Sequence, residues 1–383
     1  MKLVEQSDII AVEPMDGTHA LVLFEKKLGK QAVSQDVAEL AAALEFMPLA
    51  IVQAAAYISK RAPRCSVRQY LEQFQKSDRK RTSLLNHEGG QLRRDGEAKN
   101  SIIITWQISF DYILQTRPSA ADLLALMSFF DRQGIPDALL RNRTEQGNGQ
   151  QDQSRRSGSY ADDDEANESQ SSESDEFEND ILALRNYSFI SVSADTTTFE
   201  MHRLVQLSMR NWLEANEQLN KWSKESIRVL TAAFPSGDYE TWADCQVLLP
   251  HAREVISHVT GDAEDVLNQA KIAFSTSWYL YLRGEYKSAE KVVRMSVKAR
   301  EKVLGPEHPD TLTSVSHLGL VLESQGKYEE AEAMHRRDLE GSEKVLGPEH
   351  PDTLISVTNL GSVLESQGKY EEAEAMHRRA LKG

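Results

Sequence analysis

Residues 303–341 of this 383-residue chain return 42 residues later as 345–383, and the two copies differ at only six positions. Those are Thr313/Ile355, Ser316/Thr358, His317/Asn359, Leu320/Ser362, Asp338/Ala380 and Glu340/Lys382. One period upstream, a diverged copy has Leu280, Gly284, Tyr286 and Ala289 where the later ones have Leu322, Gly326, Tyr328 and Ala331. A fixed period of this length restricts the fold to units that bury their apolar faces by stacking on one another.

Each unit reads as two helices. Pro309, Asp310 and Thr311 supply a helix start with a proline in the first turn. Leu312, Val315, Gly319 and Leu322 recur at helical spacing, Gly326 closes that helix, and Tyr328, Ala331, Met334 and Leu339 mark the face of the next. Gly319 and Ala331 are small enough to let the paired helices approach closely. The Glu-His-Pro-Asp runs at 307–310 and 349–352 could suggest a metal, but a turn and cap is the stronger reading, because a helix begins there.

The order Leu-Gly, Gly-Lys-Tyr, Glu-Ala, with the linking Leu-Gly-Pro-Glu-His-Pro-Asp-Thr-Leu, resembles tetratricopeptide (TPR) repeats of the kinesin light chain variety over residues 267–383. The resemblance implies an α-solenoid whose first helices line a concave groove holding a protein or peptide ligand. Four of the six differences, at 313, 316, 317 and 320, share the i, i+3, i+4, i+7 spacing of one helix face. This makes Thr313, Ser316, His317, Leu320, Ile355, Thr358, Asn359 and Ser362 the candidate protein-binding residues. Free drift of a solvent face is the competing reading. Against it, Glu323, Ser324, Gln325 and Lys327 are expected to be exposed and do not differ between copies.

The net charge of −15 is local: residues 161–180 carry ten acidic side chains and no basic one, leaving about −5 for the rest. No broad basic surface for nucleic acid results. Cys65 and Cys245 have no partner at ligand spacing, which suits a reducing compartment. No apolar run is long enough to span a bilayer, so the expectation is cytoplasmic, with no membrane partner.

From the N-terminus, residues 9–15 read as a short strand. Helical segments follow with Ala20, Leu21, Leu23, Phe24 and Leu28, then Val37, Leu40, Ala41 and Leu44, then Leu49–Ile58 after Pro48, and finally Tyr70, Leu71 and Phe74. Residues 77–100 read as a linker, and 101–113 and 121–135 as two apolar helices. The segment 142–180 has hardly any apolar side chain and is expected to be disordered. Phe189–Ser193 and Thr198–Met201 flank a turn and read as a β-hairpin. Residues 215–266 continue helical, with Trp222 and Trp242 as core.

The segments DIIAVEPMDGTHALVLFEKKLG, EFMPLAIVQAAAYI, SIIITWQISFDYI and EMHRLVQ resemble the C-terminal half of an NB-ARC nucleotide-binding module of the STAND class of NTPases, over about residues 1–214. That family has a P-loop domain, a helical subdomain and a winged helix that clamp ADP. By resemblance Pro48 matches the proline of a Gly-x-Pro motif near the adenine, with Phe46 where the glycine would stand. His202 matches the histidine of Met-His-Asp that approaches the β-phosphate, with Arg203 replacing the aspartate. His202 also reads simply as the end of a hairpin strand. No Gly-x-x-x-x-Gly-Lys-Ser/Thr run exists in the sequence, and Asp131 after an apolar run has helical context, unlike a Walker acid.

The expected fold is therefore mainly α: a helical subdomain and winged helix followed by a TPR α-solenoid, with a disordered acidic insertion. The expected domains are a remnant strand and helical subdomain at 1–85, a winged helix at 98–214, a helical connector at 215–266 and the repeats at 267–383. The expected role is non-catalytic: the regulatory and partner-recognising portion of a STAND-type signalling protein. No catalytic or metal-ligating residue and no cofactor is expected, ADP entering only if a P-loop half is supplied. A plain TPR adapter with a degenerate NB-ARC remnant and a vestigial ADP-binding switch are the alternatives. The last repeat, which has no polar capping helix after it in the sequence, is expected to self-associate, to bind another chain or to be covered in a longer parent protein.

Overall fold

The computed structural model describes residues 15–28, 35–76, 102–141, 163–193 and 197–382, and the expected strand at 9–15 and linker at 77–100 lie essentially outside them. The chain divides into two compact units. The first is built on α1 (Gly17–Leu28), α2 (Gln35–Ala43), α3 (Pro48–Arg61) and α4 (Val67–Lys76), joined by α5 (Ile102–Thr116). Asp16 caps α1, its Oδ1 accepting from His19 N at 2.8 Å. The predicted stripes close on one another: Ala20 and Phe24, Val37 and Leu40, Ile51, Ala54 and Ile58, Tyr70 and Phe74 form one buried cluster. Pro48 opens α3 at a position where a helix needs no N–H, so it starts the helix.

The helix α6 (Pro118–Met127) is shorter than the apolar run at 121–135 suggested. Gly134 takes a positive φ of 64°, and Ile135–Pro136 become strand β1. Segment 142–180 requires a larger correction, because helix α7 (Asp163–Asn186) runs through much of it. Its C-terminal half has Phe177, Ile181 and Leu184 at helical spacing, the last two buried. Two of its acids are paired: Arg117 pairs with the buried Asp180, which also accepts from Ser119 Oγ at 2.8 Å. Arg141 pairs with Glu178 and lies 4.2 Å over the Phe177 ring. Composition hid these partners, which lie 37 and 63 residues away in sequence. The rest of the expected disordered segment, 142–162, falls outside the described residues.

The hairpin forms as read, with β2 (Ile190–Val192) and β3 (Thr198–Met201), and β1 pairs antiparallel to β3 with Ile135 opposite Phe199. After it come α8 (Arg203–Ala215), α9 (Leu219–Ala233) and α10 (Trp242–Ile256), and Trp222 is buried as expected. His251 of α10 is fully buried and 3.1 Å from the Gly134 carbonyl, tying that helix to the turn before β1.

The second unit ends in three helix pairs: α11 (Ala263–Leu282) with α12 (Tyr286–Leu304), α13 (Pro309–Glu323) with α14 (Tyr328–Val345), and α15 (Pro351–Ser366) with α16 (Tyr370–Ala380). His308 and His350 each cap a first helix, Nδ1 accepting from Asp310 N and Asp352 N at 3.2 Å, with proline in the first turn. Gly319 is a contact point: a Cβ there would lie 2.4 Å from Cε1 of His335. The pairs are also tied by a set of bonds repeated every 42 residues. Lys327 Nζ donates to Glu290 at 2.7 Å and Lys369 Nζ to Glu332 at 2.8 Å; Gln325 donates to the Tyr286 carbonyl and Gln367 to that of Tyr328.

Candidate functional site

Two groups of residues were singled out by sequence. Pro48 and His202 both lie in the first unit, and Glu45, which the sequence did not flag, connects their surroundings. His202 is the N-cap of α8: its Nδ1 accepts from Leu204 N at 3.1 Å. Its Nε2 lies 2.9 Å from Oε2 of Glu45, a close approach without the alignment of a hydrogen bond. Glu45 stands three residues before Pro48 in the α2–α3 turn, where Glu45 and Phe46 both adopt left-handed backbone, with φ of 52° and 55°. Two consecutive non-glycine residues there cost on the order of 1–3 kcal/mol each and persist only when neighbours hold them. Phe46, partly buried against the helical core, is such an anchor.

This arrangement fits a nucleotide phosphate poorly. The ring nitrogen that could face an anion faces a carboxylate, and the other is engaged in capping α8. A phosphate at His202 would have to displace Glu45 and remain beside its negative charge.

The second group lies on the repeats. Thr313, Ile355 and Thr358 are exposed, and Ser316, Leu320, Asn359 and Ser362 are half-buried. His317 departs from the expectation: only 2% exposed, it is not free to meet a partner. Its ring lies among Phe274, Trp278 and Tyr281 of α11, with centroids 5.4, 5.0 and 5.5 Å away, and its Nε2 is 3.0 Å from Ser277 Oγ. Burial lowers its pKa to about 4, so the imidazole is neutral.

Three of the six differences meet at one junction between pairs. Asn359 donates to Ser316 Oγ at 3.3 Å, and the buried Asp338, close to Ser316 and Ser356, accepts from Ser342 Oγ at 3.4 Å. Desolvation raises the pKa of that carboxyl, opposed by the three serines. Part of the divergence therefore fits one helix pair to its neighbour. Gln325 and Lys327, whose constancy spoke against drift, are held by the ties to α12, so that constancy has a structural cause.

Comparison with known proteins agrees with both parts. A tetratricopeptide repeat family model matches residues 277–341 and 315–383. The chain joins an NB-ARC-like part to tetratricopeptide repeats. A domain of unknown function, DUF7779, matches residues 113–218. A nucleotide-binding leucine-rich repeat (NLR)-like protein of Hyaloscypha variabilis is 32% identical over 319 residues, 81% of this chain, but the match spans only 29% of that protein's length. Among solved structures, BtubC (BKLC) from P. vanneervenii is 16% identical, covering 45% of this chain and 66% of its own, with a TM-score of 0.34. A putative kinesin light chain with nearly identical TPR-like repeats from Podospora anserina is also 16% identical, covering 45% and 90%, with a TM-score of 0.29. A STAND protein with a tetratricopeptide repeat sensor from Pyrococcus horikoshii is 11% identical, covering 96% and 59%, with a TM-score of 0.24. Among the described residues no helix is long and apolar enough to cross a membrane.

Proposed function

We propose that this chain is the non-catalytic, partner-recognising portion of a STAND-type signalling protein, acting in the cytoplasm, and that recognition takes place on the shared face of α11, α13 and α15. One observation carries the reading. In two otherwise almost identical units, most of the exposed or half-exposed differences gather on that face, with Thr313 and Leu320 replaced by Ile355 and Ser362, while the exposed Glu340/Lys382 exchange lies outside it. Differences that only fitted neighbours together would not place an isoleucine 58% exposed.

A peptide selected from a random display library on the full chain should bind several-fold more weakly to Leu320→Ser and Ile355→Thr, each exchange installing the other copy's residue. Binding unchanged by both exchanges would count against the face. The pairing of Glu45 with His202 supports the reading without a nucleotide: purified chain should neither retain ADP nor turn over ATP. Turnover abolished by His202→Ala would overturn that part.

Self-association is proposed through α16. Leu339 of α14, against which α15 packs, is 8% exposed, whereas its counterpart Leu381 is 87% exposed. Light scattering over a wide concentration range tests it, and a mass that stays monomeric throughout would refute it.

A further inference from the structure

Aligning the three first helices by the 42-residue period shows that the face is graded. Phe274, Ser316 and Thr358 occupy one position, Trp278, Leu320 and Ser362 the next, and Tyr281, Glu323 and Glu365 the one after. The first-pair end is a half-buried aromatic shelf: Phe274, Trp278 and Tyr281 surround the neutral His317, and the Trp278 and Tyr281 centroids are 5.9 Å apart. Trp278 Nε1 donates to Asp238 Oδ1 at 3.3 Å.

One helical turn beyond Leu320 and Ser362 the same face turns acidic. Glu323 is half-buried, its carboxylate accepts from Ser366 Oγ at 3.2 Å, and among the described residues no cation lies within ion-pairing distance of it. Desolvation raises its pKa, as expected of a carboxylate lacking a counter-charge. Glu365, more exposed, has the His377 ring 3.8 Å away. Arg300 lies over the outer ring of the shelf, 5.2 Å from the Phe274 centroid, and is engaged with the Asp310 carbonyl and Ser314; Lys271 is two turns away from Trp278 along α11.

We infer that this face takes an extended peptide segment presenting a bulky apolar side chain followed by a lysine or arginine. The apolar side chain seats on Trp278, Tyr281 and Leu320, and the cation reaches Glu323 and Glu365. The inference rests on the reading of this face as the partner-binding surface. Neighbouring helices are about 8–10 Å apart and an extended chain rises about 3.3 Å per residue, so the cation follows the apolar residue within about three positions. An acidic segment is excluded by the same carboxylates together with Asp238.

The test is selection of random dodecapeptides displayed on phage against the full chain at physiological salt. Enriched sequences should carry Trp, Phe or Leu followed within three positions by Lys or Arg. The paired variant Glu323→Gln, Glu365→Gln should bind such a peptide about ten-fold more weakly and lose the preference for the cation. Trp278→Ala should weaken every selected peptide, and an unchanged helical CD spectrum of each variant shows that the array is intact. An acidic or uncharged consensus that still depends on Leu320, or affinity indifferent to the carboxylate variants, overturns this chemistry and leaves the binding face standing. No enrichment, or enrichment indifferent to Leu320→Ser and Ile355→Thr, overturns both.

Discussion

The repeats should weaken in mild acid, and His317 and His335 are the cause. Both are buried, with pKa values lowered to about 4. His335 has no hydrogen-bond partner on either ring nitrogen, and the backbone of α13 at Gly319 lies against its ring. A histidine whose folded pKa lies below its unfolded value binds more protons when unfolded. The stability it contributes is full above the unfolded value of about 6.5 and is lost as pH falls toward 4. Between pH 7.5 and pH 5.0 the linkage gives a loss of about 2 kcal/mol per histidine, or about 4 kcal/mol for the pair. Asp338, with a raised pKa, acts in the opposite sense, since its contribution is present at low pH and lost as pH rises through its folded value. Replacing His317 by the asparagine found at 359 isolates one contribution. Native-state hydrogen exchange of peptides from 309–345 at the two pH values, corrected for intrinsic rates, measures the opening free energy directly. The wild-type difference should shrink by about 2 kcal/mol in His317→Asn. Equal differences in the two proteins would refute the assignment.

Three further outcomes follow from the packing. Gly319→Ala forces a methyl into the His335 ring and should cost about 1–3 kcal/mol in thermal or urea unfolding. Gly361→Ala should cost less, because the half-exposed His377 can move aside; equal costs would contradict this. Glu290 and Glu332 are held at about 2 despite partial burial, by Lys327, Gln325 and Arg294 for the first and by Lys369, Arg336 and Gln367 for the second. Their contribution is present above about 4.5 and lost as pH falls toward 2, so Glu290→Gln should flatten the acid transition in that window when followed by circular dichroism. His202→Ala removes the cap of α8 and should cost about 1 kcal/mol, seen as faster limited proteolysis of the first unit; an unchanged rate would show that the cap contributes nothing.

The helix pairs of the repeats were readable from sequence, because periodicity fixes where the packed stripes fall. The proline at each helix start, Gly319 in the interhelix contact and the stripes of α1 to α4 follow from local rules. Contacts distant in sequence were not readable. Helix α7 escaped notice because Arg117 and Arg141, which pair with Asp180 and Glu178, lie outside any local window. His317 read as a surface residue because helix spacing fixes a direction and does not reveal that three aromatic rings of α11 close over it. Glu45 carried no signal: the left-handed α2–α3 turn that brings it to His202 is made by two non-glycine residues.

The most direct test of recognition by the repeats is hydrogen exchange of the full chain with and without a bound library-selected peptide. The account predicts added protection over 271–282, 313–323 and 355–366, the partner-facing helices, and little change over α12, α14 and α16. Protection confined to those outer helices, or to the first unit around His202, would contradict it.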